Sequence, residues 1–147
     1  MDFSQFDSRT AAETARPLHL RHPATGAPLY ADAEWKQPCE VLVLGTEGRS
    51  AQAAMRAAQK AKLTGEKADD DRQTMEDVHA GLVATAKPLI TGFRNISRGE
   101  MAATLADVEW FLNLNLITGR AGETSFVEQV MNFATSRANY LGNGSPV

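Results

Sequence analysis

Pro88 stands inside the longest helix-like run of the chain and limits what that run can become. From Thr74 to Ile96 (TMEDVHAGLVATAKPLITGFRNI), Met75, Val78, Leu82, Ala86, Leu89, Ile90 and Phe93 recur at steps of three and four. That spacing lines them along one side of a helix. Glu76 and Asp77 fall in the first turn, where carboxylates suit the positive helix end, and Gly92 is the expected C-terminal cap. Proline lacks an N–H and collides with the preceding turn, so Pro88 either kinks this helix or splits it in two. The run is expected to be the central element on which the other apolar segments pack.

Upstream the period changes. Residues 1–15 are polar apart from Phe3 and Phe6 and read as a flexible arm with a short helical piece near Thr10–Ala15, or as an arm that docks its two rings. In PLHLRH, Leu18 and Leu20 alternate with polar neighbours, the pattern of a half-buried strand. HPATG (His22–Gly26) is a turn, and Ala27–Tyr30 is expected to return as the second strand of a hairpin. Asp32–Pro38 is a polar connection carrying Trp35, and CEVLVL (Cys39–Leu44) is the strongest strand signal. Ser50 is expected to cap an alanine-rich helix over Ala51–Leu63, with Ala54, Met55, Ala58 and Lys62 or Leu63 on one side. A charged loop, Thr64–Arg72, leads into the central run.

Beyond it, Arg94–Glu100 reads as a turn region and Met101–Leu116 as a helix starting near Thr104. Thr124 or Ser125 caps a last helix with the stripe Phe126, Val130, Phe133, Ala134, Arg137 and Leu141, stopped by Gly142-Asn143-Gly144. The expected fold is α+β: a small N-terminal antiparallel β-hairpin or three-stranded sheet followed by a bundle of about four helices. It fills one domain over residues 16–142, with the β part at 16–45, the helical part at 50–142 and a flexible tail at 143–147.

The totals exclude several classes. With 147 residues the chain can bury a core without staples. A net charge of −3, with no run of four basic residues, argues against a nucleic-acid binder. Cys39 is the single cysteine, so neither an internal disulfide nor a cysteine-rich zinc site is expected. There is no long apolar run and no basic start followed by an apolar stretch, so a cytoplasmic protein without membrane contact is expected.

Candidate chemistry is thin. VLVLGTEGRS is strand, glycine turn and helix, yet Gly45 and Gly48 are spaced G-x-x-G with no lysine following, unlike either phosphate-binding fingerprint. His19 and His22 point to opposite faces of a strand, and His79 is alone on its helix, so no metal site is expected. Cys39 opens an apolar strand, where a cysteine behaves as a small hydrophobe. Asp69, Asp70 and Asp71 do not fit a calcium loop, and Asp107 and Glu109 are too close in sequence to work as a facing acid and base. Neither a catalytic residue nor a cofactor is expected. The aromatic residues are the candidates for partner binding: Trp110, a seven-residue seam of Phe126, Phe133 and Tyr140, and Phe3 and Phe6 in the arm.

The order of the pieces resembles a known family. FDSRTAAE leading into LHLRHPATGAPL, the strand VLVLG with its Ala/Arg/Lys-rich helix, LITGFRNIS, and the closing FVEQVMNFATSRANYLGN are similar to the tail assembly chaperones of long-tailed bacteriophages and prophages. The resemblance runs over about residues 6–143 and is one of layout. It implies a non-enzymatic adaptor in the host cytoplasm that engages the tape-measure protein and tail-tube subunits, self-association being left open, and that is absent from the finished particle. The alternative is a structural virion protein of the tail, neck or capsid surface.

Overall fold

The most apolar strand of the chain is the middle of the sheet. β2 (Glu40–Val43) pairs antiparallel with β1 (Arg16–His19) on one side and with β3 (Ile90–Arg94) on the other. Val41 and Val43 are fully buried, while Glu40 and Leu42 stay partly exposed, the alternation expected when helices cover one face of a sheet. Between β2 and β3 the chain passes through α2 (Arg49–Thr64) and α3 (Met75–Ala86). This computed structural model describes residues 1–64 and 74–141. The sheet and its helices form an α+β fold. The expected aspartate loop at 69–71, the glycine stop at 142–144 and the tail fall outside the described residues.

Pro88 splits the central run. α3 ends at Ala86, Lys87–Leu89 tighten into a 3-10 turn with the proline in its first turn, and Ile90–Arg94 continue as β3. The expected helix to Ile96 is therefore half strand, and Gly92 pairs with Leu42 instead of capping a helix. Leu89 and Ile90 are buried in the actual arrangement too, so a step of three and four does not separate the two outcomes. The acidic first turn is as expected, with Glu76 and Asp77 in it, and Thr74 adds a reciprocal capping box with Asp77.

The expected return strand at Ala27–Tyr30 does not form. Arg21 and Pro28, and Tyr30 and Pro38, meet only as isolated bridges, because Pro28 and Pro38 have no N–H to give to a ladder. Three backbone bonds close a ring here instead. Leu20 N–H donates to the Cys39 carbonyl at 2.9 Å, Cys39 N–H to Leu29 at 3.0 Å, and Leu29 N–H to Leu20 at 3.0 Å. The sheet's third strand comes from LITGFR, in the half expected to be helical.

The C-terminal half is also more broken than its periodicity suggests. Ser97–Arg98 (β4) and Met101–Ala102 (β5) make a two-stranded ribbon. The capping box at Thr104 opens a 3-10 turn, Leu105–Asp107, that runs into the short α4 (Val108–Leu112). The last helix is two: α5 (Phe126–Ala134), capped by Ser125 and Glu128, and α6 (Ala138–Leu141). α5 packs on α3 and β2, burying Val127, Val130 and Ala134 against Val41, Val43, Val83 and Ala86.

The N-terminal segment holds a 3-10 turn, Phe3–Phe6, and α1 (Ser8–Ala11). Ala12 is buried, and its carbonyl accepts from Gly45 N–H at 3.0 Å. A Cβ on Gly45 would stand 2.7 Å from the Ala12 Cβ, so only glycine permits this approach. The first turn of α2 is held from outside the helix. Both the N–H and the hydroxyl of Ser50, expected as its own cap, donate to the Glu13 carboxylate at 2.8 and 2.7 Å.

Candidate functional site

A cleft of about 420 Å³ opens between β1 with its following turn and the α5–α6 segment. One wall carries Leu18, His19, Arg21 and His22; the other carries Gln129, Asn132, Phe133, Ser136 and Asn139. Its volume lies in the range of about 300–1,000 Å³ usual for ligand sites. No carboxylate lines it, although the chain as a whole has a net charge of −3.

The backbone shapes the groups in this cleft. His19 Nε2 lies 2.7 Å from the Leu29 carbonyl. A carbonyl only accepts, so this nitrogen carries a proton and donates it. His22 Nδ1 accepts from the N–H groups of Ala24 and Thr25 at 3.1 and 3.3 Å, which places the neutral ring's proton on Nε2. Gln129 is buried yet fully bonded: Oε1 accepts from Arg21 N–H at 2.8 Å, and Nε2 donates to the carbonyls of Arg21 and Thr124 at 2.9 and 3.0 Å. Without these bonds a buried amide would cost about 1–3 kcal/mol.

The expected partner-binding aromatics do not form one surface. Phe3 and Phe6 are 73% and 53% exposed and meet edge to face at 5.4 Å, in the arm. Trp110 is half-buried under the Arg98 guanidinium, 5.0 Å from its centroid, and Arg98 is in turn held by Asp107 at 3.1 Å. Phe126 stacks on the buried Phe111 at 5.0 Å. Phe133 alone reaches the cleft.

Tyr140 is no surface residue. Only 4% exposed, it donates its hydroxyl to the Val43 carbonyl at 2.9 Å, and burial pushes its phenol well above the ordinary value. The seven-residue seam does not run along one helix, because α5 ends at Ala134 and α6 starts at Ala138, although Phe133 and Tyr140 still meet edge to face at 5.8 Å.

The sequence pattern passed over the residue with the most exposed aromatic surface near the cleft. Trp35 is 74% exposed and holds a positive φ of 61°, a rare state for a bulky residue that points to function when it persists. The turn is pinned by Asp32, whose carboxylate accepts from the N–H groups of Lys36 and Gln37. Trp35 stacks on Tyr30 at 6.2 Å, and Tyr30 meets His19 at 4.8 Å, so an aromatic strip runs from the cleft wall to an exposed ring. A tryptophan in a polar connection was its only signal in the sequence.

The other candidates resolve into structure. Gly45, Thr46 and Gly48 all give their N–H groups to backbone carbonyls, which leaves that turn no cradle for a phosphate. Burial raises the Cys39 thiol above its ordinary value, and the thiol donates to the Asn95 carbonyl, opposite to what a nucleophile needs. Buried His79 bonds Asn113 Oδ1 through Nε2 at 2.9 Å, and its Nδ1 has no partner among the described residues. No group of three metal-ligating side chains occurs among the described residues, and none of their helices is long and apolar enough to cross a membrane. No protein family matches this chain, and no curated protein and no solved structure shows significant similarity to it.

Proposed function

We propose that this chain is a non-catalytic binding protein of tail assembly in a long-tailed bacteriophage, a chaperone that engages the tape-measure protein and tail-tube subunits in the host cytoplasm. The order of its segments, from FDSRTAAE to FVEQVMNFATSRANYLGN, supports the family. The observation that carries the binding role is the cleft beside β1, with the exposed Trp35–Tyr30 strip next to it. Its walls offer hydrogen-bond donors, amides and the ring of Phe133, the make-up of a recognition surface. Its two histidines each spend one ring nitrogen on their own backbone neighbours. Several copies spaced along one long partner would add avidity to weak single contacts.

The test is a pull-down of the tagged chain from infected or induced cells, beside mass spectrometry of purified particles. Capture of the tape-measure protein together with absence from the particle is the expected result. Many copies of the chain in the particle would overturn the chaperone reading and make it a structural component.

A further inference from the structure

β1 is an edge strand, and alternation along it fixes which backbone groups face away from β2. The pairs Arg16–Val43 and Leu18–Val41 continue in step to Leu20, whose N–H donates to the Cys39 carbonyl. Even-numbered residues therefore face β2, and Pro17, His19 and Arg21 turn their backbone groups outward along the cleft. On that side Arg21 is already paired: the Gln129 amide accepts from its N–H and donates to its carbonyl at 2.8 and 2.9 Å. Those are the two bonds a neighbouring strand would make. Two residues back along the same edge, no side chain among the described residues bonds to the outward N–H and C=O of His19.

We propose that the cleft binds an extended, acidic peptide segment, which adds to the free edge of β1 at His19 as a further strand and turns its carboxylates toward Arg21 and His22. Strand addition uses main-chain bonds for affinity and flanking side chains for specificity, and both are on this edge. Gln129 shows that the edge accepts an amide in strand register. Asn132 and Ser136, on the opposite wall, face the same space with hydrogen-bonding groups. Leu18 and Phe133 give an apolar place for one side chain of the segment.

The preference follows from the walls, where the Arg21 guanidinium is the one permanent charge, His22 offers its Nε2–H as a donor, and no acid is present. Pro17, with no N–H, limits the pairing on its side, as prolines on edge strands do. The protein that supplies the segment rests on the tail-assembly reading above; the edge and its charge do not.

The test titrates the isotope-labelled full chain with a blocked peptide of alternating valine and aspartate, followed by NMR. Shifts centred on His19, Arg21, Gln129 and Asn132 are expected. Affinity should fall by about tenfold or more when alternate peptide amides are N-methylated, the loss of one or two good hydrogen bonds. It should fall comparably when lysine replaces aspartate, and when the exposed Asn132 is changed to aspartate (Asn132→Asp). No binding, shifts centred elsewhere, or equal affinity for the N-methylated or lysine peptide would each overturn the proposal.

A pull-down separates the two readings. Equal capture of tail protein by the wild type and Asn132→Asp overturns the cleft while leaving the chaperone role standing. A wild type that captures no tail protein overturns the chaperone role, and the peptide titration then decides the cleft alone.

Discussion

The two ends of β1 are built from the same neighbours and treated in opposite ways. At the Arg16 end the molecule is closed. α1, the Gly45–Ser50 loop and α6 meet around Glu47, which accepts from the Ser8 hydroxyl at 2.9 Å and from Arg137 Nε at 2.6 Å. Glu13 holds Ser50, and Tyr140 bonds the Val43 carbonyl. At the His19 end the same α5–α6 segment stands off and leaves the cleft. The closed end uses its carboxylates on internal donors, while the open end has donors and amides with no acid among them.

The comparison breaks most completely if the core behind α5 is removed. Phe111 is buried, stacks on Phe126 of α5 and meets Phe93 of β3 edge to face. Phe111→Ala should cost about 3–5 kcal/mol of unfolding free energy in urea melts. Because α5 serves both ends, the variant should loosen the Glu47 contacts and the cleft together. Loss of cleft shifts alone, with the melt unchanged, would show that the ring is not core.

A local change should separate the ends. Gly45→Ala forces a methyl to within 2.7 Å of the Ala12 Cβ and 3.2 Å of its Cα, an overpacking cost of about 1–3 kcal/mol. Binding of the valine–aspartate peptide should stay as in the wild type. A matching loss of binding would mean that the two ends are one cooperative unit.

The converse change is Gln129→Leu at the open end. It leaves the Arg21 N–H and the carbonyls of Arg21 and Thr124 without their partner, at a cost of about 1–3 kcal/mol, less where water enters the cleft. It also frees a second stretch of edge, so peptide affinity should hold or rise while stability falls. A simultaneous fall in affinity would show that Gln129 contributes to the site itself and does not merely occupy the edge.

How much of this was legible in the sequence depends on range. Local signals were read correctly: the N-cap at Thr104 and, of the two offered before the last helix, Ser125, the turn at Gly26 with its φ of 75°, and the β2 strand. What failed needed partners distant in the chain. LITGFR is apolar at helical spacing and at strand spacing alike, and only β2 beside it decides for the strand. Gln129 reads as an ordinary polar helix position, and nothing near it in sequence announces a bond to Arg21. The aromatic seam was drawn on one continuous helix, so the break at Thr135–Arg137 moved Tyr140 into the core and left Phe133 alone at the cleft. Trp35 was seen and not selected, because its exposure depends on a turn that Asp32 holds.

The smallest expected effect comes from acid, and Glu47 is where it tests the closed end. The Arg137 guanidinium and the Ser8 hydroxyl hold the Glu47 carboxyl below its ordinary value of 4.5, and Ser50 does the same for Glu13. A carboxyl whose folded value is depressed adds stability that is fully present above its unfolded value and is lost as pH falls through the folded one. The loss should begin as pH drops below about 4.5 and continue downward. The Glu47–Arg137 pair is largely solvent-accessible on the arginine side, so screening by water keeps its share small. Urea melts at neutral pH and in the acid window should show Glu47→Gln less stable than the wild type at neutral pH and closer to it in acid. A variant offset that does not shrink with pH would mean that Glu47 acts there through packing, and the closed end would then owe nothing to its charge.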